Sequence, residues 1–276
     1  MSSTETLVAH LAPIAAGRVS ARLEGGRARL ILDITGLHPD THAALEAQLR
    51  AAALAVPGVA EVQIALTSER VKRRIIAVAS GKGGVGKSTV AANLAIGLHR
   101  LGRRVGLVDA DIHGPSQPVL MGVAGIRPKA REKVLLPVET PHGVPLLSMG
   151  QLVAPEQAIA WRGPMLAGAL AQLLDADWGA AEIIVLDLPP GTGDVQLSML
   201  QKYRPAGAVI VSTPQDLALI DARRAIDLFV KAGVPLIGLI ENMAGYRCPA
   251  CGAVSDPFGQ GGAQAAAAAL NIPFLG

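Results

Sequence analysis

The stretch Ser80-Gly-Lys-Gly-Gly-Val-Gly-Lys-Ser-Thr89 limits the folds open to this chain more than any other. Gly81 and Gly86 bracket four residues ahead of Lys87-Ser88, the G-x-x-x-x-G-K-[ST] pattern of a phosphate loop. Glycines let successive backbone N–H groups turn inward on phosphate oxygens, where a side chain would collide or need a strained positive φ. Gly81, Lys82, Gly83, Gly84, Val85, Gly86, Lys87, Ser88 and Thr89 are therefore expected to hold ATP, with Lys87 reaching the β- and γ-phosphates and the Ser88 hydroxyl on Mg²⁺. The β-branched run Arg74–Ala79 ahead of the loop reads as a buried parallel strand. Behind it, Val90, Leu94, Leu98 and Leu101 recur at helical spacing, which predicts a helix over 87–101 with its positive dipole end on the same anion.

Strand and helix signals alternate through the rest of the chain from residue 75, which predicts an α/β fold with a mainly parallel sheet flanked by helices. Of 276 residues half are hydrophobic, only 3% are aromatic and 31 are glycine, a mixture suited to close helix-on-sheet packing and tight strand-to-helix turns. Strands are read at 104–111, 182–187, 208–214 and 235–242, and helices at 216–231, around Ala265–Ala269, and from Trp161-Arg-Gly-Pro-Met165 to about Asp175. Residues 122–160, punctuated by five prolines from Pro128 to Pro155, carry little pattern.

Acids stand at two strand ends, where open parallel sheets place their ligands. The strand 104–111 ends in Asp109 and Asp111, and by itself Asp111 reads as a capping residue before the loop Ile112–Pro118. The strand 182–187 ends in Asp187, which can hold Mg²⁺ through water, and Gly191 can offer its N–H to the γ-phosphate. The prolines of Leu188-Pro-Pro-Gly-Thr-Gly-Asp194 would let this segment move as a unit when that phosphate comes or goes. Asn242, at another strand tip, reads equally as a turn residue or as a reader of the adenine edge.

Residues 1–70 read as a small separate α/β domain and its linker, ahead of a nucleotide domain over 71–276. Arg18–Leu23 and Ala28–Ile34 form a hairpin around Gly25-Gly26, a helix follows from Pro39 to Ala53, and Ala60–Leu66 is a third strand. His38 in the intervening loop is taken as a solvated polar residue. The basic joint Thr67–Arg74 tethers the two parts.

The cysteines, Cys248 and Cys251, lie three positions apart in a Gly/Pro loop, the spacing with which two sulfurs face one metal. A redox dithiol and an inert loop remain open beside metal binding. Two copies of the chain would supply four thiolates, which suits a [4Fe–4S] cluster or zinc. A net charge of +3 is too small to argue for nucleic acid. No run of about 18 apolar residues and no basic-then-apolar start appears, so a cytoplasmic protein without a membrane partner is expected.

Lys82 directly after Gly81 makes the loop K-G-G-x-G-K-S-T, and here the chain resembles the deviant Walker A ATPases, which include nitrogenase iron protein and the ParA and MinD proteins. With Asn242-Met243, C-P-x-C-G and Asp256-Pro-Phe-Gly-Gln-Gly-Gly262 added, it resembles the Mrp (ApbC-type) iron–sulfur carrier ATPases over essentially its whole length. The resemblance implies a homodimer in which Lys82 crosses to the partner's nucleotide, and makes Lys82, Lys87 and Asp111 catalytic, Asp111 by orienting the attacking water. It also implies that Asn242 contacts adenine, that Cys248 and Cys251 hold the cluster between subunits, and that slow ATP hydrolysis is coupled to delivery of the cluster to apoproteins. The alternative is a ParA/MinD-like positioning ATPase with a zinc or redox cysteine pair. Two departures stand out: the small N-terminal domain lacks the cysteine its counterparts usually carry after the second strand, and the chain stops at Gly276, short of where the family usually continues, so late adenine contacts are expected to be missing.

Overall fold

The computed structural model describes residues 3–15, 17–34, 37, 39–67, 73–112, 114–131, 133–152 and 163–276. Two compact units emerge, one of Met1–Lys72 with Gly179–Ala181 and one of Arg73–Trp178 with Glu182–Gly276.

In the first unit a helix Ser3–Ala15 precedes β1 (Val19–Glu24), β2 (Arg27–Asp33), a helix Pro39–Leu54 and β3 (Glu61–Thr67). β1 and β2 are antiparallel, with Glu24 facing Arg27 across Gly25 and Gly26. Both glycines have positive φ, +54° and +79°, as a two-residue type I′ hairpin demands. β3 returns parallel to β2, the connection running through the helix Pro39–Leu54. Leu7, Leu11, Leu30, Leu32 and Leu49 make a closed core. The helix Ser3–Ala15 lacks a sequence signal because Pro13 lies inside it, against local propensity. Burial of Leu7 and Leu11, one turn apart, outweighs that cost. His38 and most of the joint Thr67–Arg74 lie outside the described residues.

The second unit contains a six-stranded sheet in the order β11-β10-β4-β9-β5-β8, every pairing parallel. Its strands are β4 (Arg74–Ala79), β5 (Val105–Asp109), β8 (Leu146–Ser148), β9 (Ile183–Asp187), β10 (Gly207–Ser212) and β11 (Leu236–Glu241). Two small antiparallel hairpins lie outside it: β6 (Lys129–Arg131) with β7 (Val134–Leu136), and β12 (Tyr246–Arg247) with β13 (Val254–Ser255). Helices Lys87–Arg100, Gly163–Leu174, Asp194–Tyr203, Asp216–Lys231 and Gly262–Leu270 accompany the sheet. Every residue of β5, β9 and β10 is buried, which explains their unbroken apolar runs. Pro273–Gly276 lie along β11, with Leu239 N–H donating to the Pro273 carbonyl and Leu275 N–H to the Leu239 carbonyl, both at 2.9 Å. The expected fold class is thus the observed one, and among the described residues no helix is long and apolar enough to cross a membrane.

Two details differ from the sequence reading. The helix after the phosphate loop buries Ala91, Ala92 and Ala95, while Val90, Leu94 and Leu98 pack only in part and Leu101 is 79% exposed. Small residues form its contact face because the helix must approach the sheet closely to aim its N-terminus at the loop. The second detail is β8, a three-residue edge strand drawn from the stretch expected to be irregular; its Leu146 and Leu147 are fully buried. Ala95→Leu is expected to overpack this interface and cost about 1–3 kcal/mol, whereas Leu101→Ala should change stability by less than about 0.5 kcal/mol. Denaturant midpoints of the two variants against wild type check the ranking.

Candidate functional site

Strand register builds the site. Val78 pairs with Asp187, Asp187 with Asp109, and Asp109 with Ser148, so one row of residues crosses four strands at the C-terminal edge of the sheet. Being level in parallel strands, Asp187, Asp109 and Ser148 share a face. The loop 80–86 begins one residue beyond β4, beside that row.

Glycine is compelled by space at Gly81, where backbone stands in the way, and favoured at Gly86 chiefly by its backbone conformation. A Cβ on Gly81 would lie 2.0 Å from the Asp221 backbone carbon, and one on Gly86 would lie 2.1 Å from the Asn242 amide nitrogen. Gly86 also has φ +83°, immediately ahead of the helix Lys87–Arg100. The Ser80 hydroxyl donates to the Lys82 carbonyl at 2.8 Å and closes the loop's base.

Lys87 turns into the protein. Its ammonium forms a buried ion pair with Asp187 Oδ1 and lies 3.3 Å from Ser88 Oγ. Exposure is 6% for the Lys87 side chain and 0% for that of Asp187, so the pair is drawn almost wholly out of water. Gln117 completes the cluster: its Nε2 donates to Asp187 Oδ2 and to the Ser88 carbonyl, both at 2.8 Å. Asp109 accepts from three directions, from Asp111 N–H, Gln117 N–H and the Ser148 hydroxyl at 3.0–3.1 Å. Burial, and next the nearby Asp187 charge, nonetheless push its carboxyl up to about 7. Asp111 is 8% exposed and accepts the Gly114 N–H on Oδ1 at 3.1 Å.

Two of the expected residues are hydrogen-bonded within the protein. Gly191, with φ +93°, donates its N–H to the Ser80 carbonyl at 3.1 Å, so offering it to a phosphate requires that bond to open. Gln196 ties the same segment down by donating to the Pro189 carbonyl. Asn242 directs its amide to the Val85 carbonyl at 2.9 Å and so braces the phosphate loop. Lys82 is half-buried in that loop.

The thiols stand apart from this row. Cys248 and Cys251 lie between β12 and β13 in a knuckle closed by Cys248 N–H to the Ala253 carbonyl and Gly252 N–H to the Cys248 carbonyl, both at 2.8 Å. Cys248 is half-buried, Cys251 exposed and neither is in a disulfide. Backbone N–H groups of Cys251 and Ala250, then the Cys251 thiol, pull the Cys248 thiol below its ordinary range. Among the described residues no group of three or more His, Cys, Asp or Glu side chains could hold a metal ion, so one chain offers this site two ligands. At the hairpin's base Glu241 accepts Gly261 N–H on Oε1 and Ala263 N–H on Oε2, both at 2.6 Å.

Sequence reasoning missed Gln117 and Ser148 and passed over Asp109 in favour of Asp111. Asp109 had a signal, an acid closing an apolar run just as Asp187 closes the run Ile183–Leu186. Gln117 and Ser148 had none, since their partners lie 70 and 39 residues away.

A phosphate loop at the tip of the first strand of a parallel sheet, with an acid at the tip of its neighbour, defines a P-loop NTPase. Residues 71–276 match the ParA family model described as NUBPL iron-transfer P-loop NTPase, and the chain belongs to that family. It is 49% identical over 223 residues to an iron-sulfur cluster carrier protein of Pseudomonas fragi, covering 80% of this chain and 74% of that one. With the protein of the same description from Deinococcus radiodurans the identity is 47% over 255 residues, 88% of this chain and 73% of the other. Among solved structures, a nucleotide-binding protein of Archaeoglobus fulgidus in complex with ADP is similar at TM-score 0.63 and 39% identity, over 73% of this chain and 79% of that one. The cell division ATPase MinD of Pyrococcus furiosus is similar at TM-score 0.53 and 25% identity, over 73% and 81%.

The raised Asp109 carboxyl fixes a pH dependence. Between its ordinary value of 3.8 and about 7 the folded protein holds a proton that the unfolded chain has released. This contribution to stability therefore falls as pH rises through that window and is level above it. Thermal melts of wild type and Asp109→Asn from pH 5 to 8, without nucleotide, should show the wild type losing ground to the variant as pH rises.

Proposed function

We propose that this chain binds ATP with Mg²⁺, hydrolyses it slowly, and carries a [4Fe–4S] cluster as cargo between the Cys248–Cys251 pairs of two copies, delivering it to apoproteins. The observation that carries this reading is that Asn242, which holds the Val85 carbonyl of the phosphate loop, stands on the strand end from which the thiol hairpin departs. The names of the similar proteins and the ADP in the Archaeoglobus structure support it.

The residues fit nucleotide and cation. Lys87 and Asp187 are already opposed, with Ser88 Oγ 3.3 Å from the ammonium. With Lys87 turned to the β- and γ-phosphates, the Ser88 hydroxyl and, through water, Asp187 would hold Mg²⁺, which would neutralise charge on the phosphate oxygens. The Gly191 N–H leaves the Ser80 carbonyl for the γ-phosphate, which makes 188–193 a switch. Buried Asp111 orients the attacking water, and Lys82 of each copy reaches the nucleotide of the other. Gly81, Gly83, Gly84, Val85, Gly86 and Thr89 line the phosphates with backbone N–H groups, and Asn242 contacts adenine while bracing the loop.

Two thiols leave a four-ligand shell half filled, and a two-fold axis completes it, so the homodimer is the carrying unit. Residues 71–276 form the ATPase domain and 1–70 a separately folding domain with linker. The reading places the protein in the cytoplasm, with apoproteins as partners and neither nucleic acid nor membrane.

Lys87→Ala is expected to remove ATP binding, read with a fluorescent ATP analogue, because the phosphate charge loses its counterion. Lys82→Ala should keep binding and lose turnover. Cys248→Ala/Cys251→Ala should bind ATP and retain no iron or sulfide after anaerobic reconstitution. Wild-type ATP affinity in Lys87→Ala, or a full iron complement in the double cysteine variant, would sink the corresponding half of the proposal.

A further inference from the structure

Gln117 is fully buried, yet its Oε1 has no hydrogen-bond partner among the described residues. The amide orientation is not arbitrary: Nε2 donates to two acceptors, Asp187 Oδ2 and the Ser88 carbonyl, and a flipped amide would set oxygen against both. Oε1 is thereby fixed as an unmet acceptor. Leaving a buried acceptor unmet is costly, so such an atom in an otherwise bonded cluster marks a place that receives a donor. The backbone is equally constrained, since Gln117 N–H donates to Asp109 Oδ2 at 3.1 Å. One residue thus touches the phosphate loop, the acid ending β9 and the acid ending β5.

We propose that Gln117 is the positioning residue of the divalent-cation site: Nε2 keeps Asp187 oriented after Lys87 departs, and Oε1 accepts a hydrogen from a water in the cation's hydration shell. This rests on the nucleotide reading above. Two features of the cluster support it. Asp187 is held at both oxygens, Oδ1 by Lys87 and Oδ2 by Gln117, so loss of the lysine leaves one tether in place. Mg²⁺ keeps several waters when it binds beside phosphates, and those waters are strong donors that need acceptors around them. Partners that orient metal ligands in this way typically change metal affinity by about 10–100-fold when removed.

The test titrates Mg²⁺ into the full-length protein with a fluorescent ADP, comparing wild type with Gln117→Leu, which keeps the bulk and deletes both polar atoms. The Mg²⁺ half-saturation of the variant is expected to rise about tenfold or more. Its ADP affinity in EDTA should fall by much less, a split that general loosening of the loop would not produce. An unchanged Mg²⁺ requirement in a folded variant, or equal losses with and without the cation, overturns the proposal. If the variant does not fold, a wild-type crystal structure with ADP and Mg²⁺ decides: a cation-bound water about 3 Å from Gln117 Oε1 is expected, and Oε1 unpaired or bonded to protein overturns it. A wild type with no affinity for ADP under either condition overturns the nucleotide reading and this proposal together, whereas ADP binding with the wrong cation dependence overturns this proposal alone.

Discussion

The buried ion pair of Lys87 with Asp187 is the contact on which the site's arrangement depends. It joins the first turn of the helix after the phosphate loop to the tip of β9, and so fixes the loop against the sheet. An ion pair taken out of water contributes little net stability, because desolvation offsets most of the Coulomb gain. Its value lies in specificity and exchange. Three ionisable groups meet here, with one cation for two carboxyls, and burial, followed by the Asp187 charge, lets Asp109 keep its proton up to about 7. Whatever draws Lys87 away must bring positive charge in return, which is what a nucleotide accompanied by a divalent cation does.

Much of the fold could be read from residue types because the local rules agree with the global arrangement. β-Branched runs at β9 and β10 read as buried strands and are buried throughout. Gly25-Gly26 between alternating segments gave the only hairpin geometry its positive φ values allow. The phosphate loop required β4, the loop and the following helix in sequence, and they follow in that order. The glycines of that loop were legible from the motif, while the close approach of the Asp221 backbone to Gly81 emerges only in three dimensions.

What could not be read depends on long-range contact. The helix Ser3–Ala15 is held by Leu7 and Leu11 against the first unit's core, in spite of Pro13. The strand β8 is three residues long, too short for period-two alternation to register, and exists because β5 offers it an edge. Gln117 looks like any polar loop residue until the fold brings Ser88 and Asp187 to its amide. The apolar spacing that located the helix Lys87–Arg100 ran through Val90, Leu94, Leu98 and Leu101, whereas the face that meets the sheet is made of alanines. Periodicity located the helix, and packing distance decided which side of it was inside.

Glu241 has a mechanical consequence for the thiols. The chain leaves the sheet at this residue, runs out through the cysteine knuckle, and comes back at Gly261 and Ala263, whose N–H groups land on the two oxygens of the same carboxylate. Both feet of the excursion are therefore pinned to one side chain, like an arch standing on a single footing. Cys248 and Cys251 lie on the span between those feet, in the turn of the β12–β13 hairpin. Asn242, the next residue along, grips the phosphate loop at Val85. The residue that pins the span thus adjoins the one that braces the phosphate loop, so the thiol hairpin and that loop are joined by one short stretch of chain.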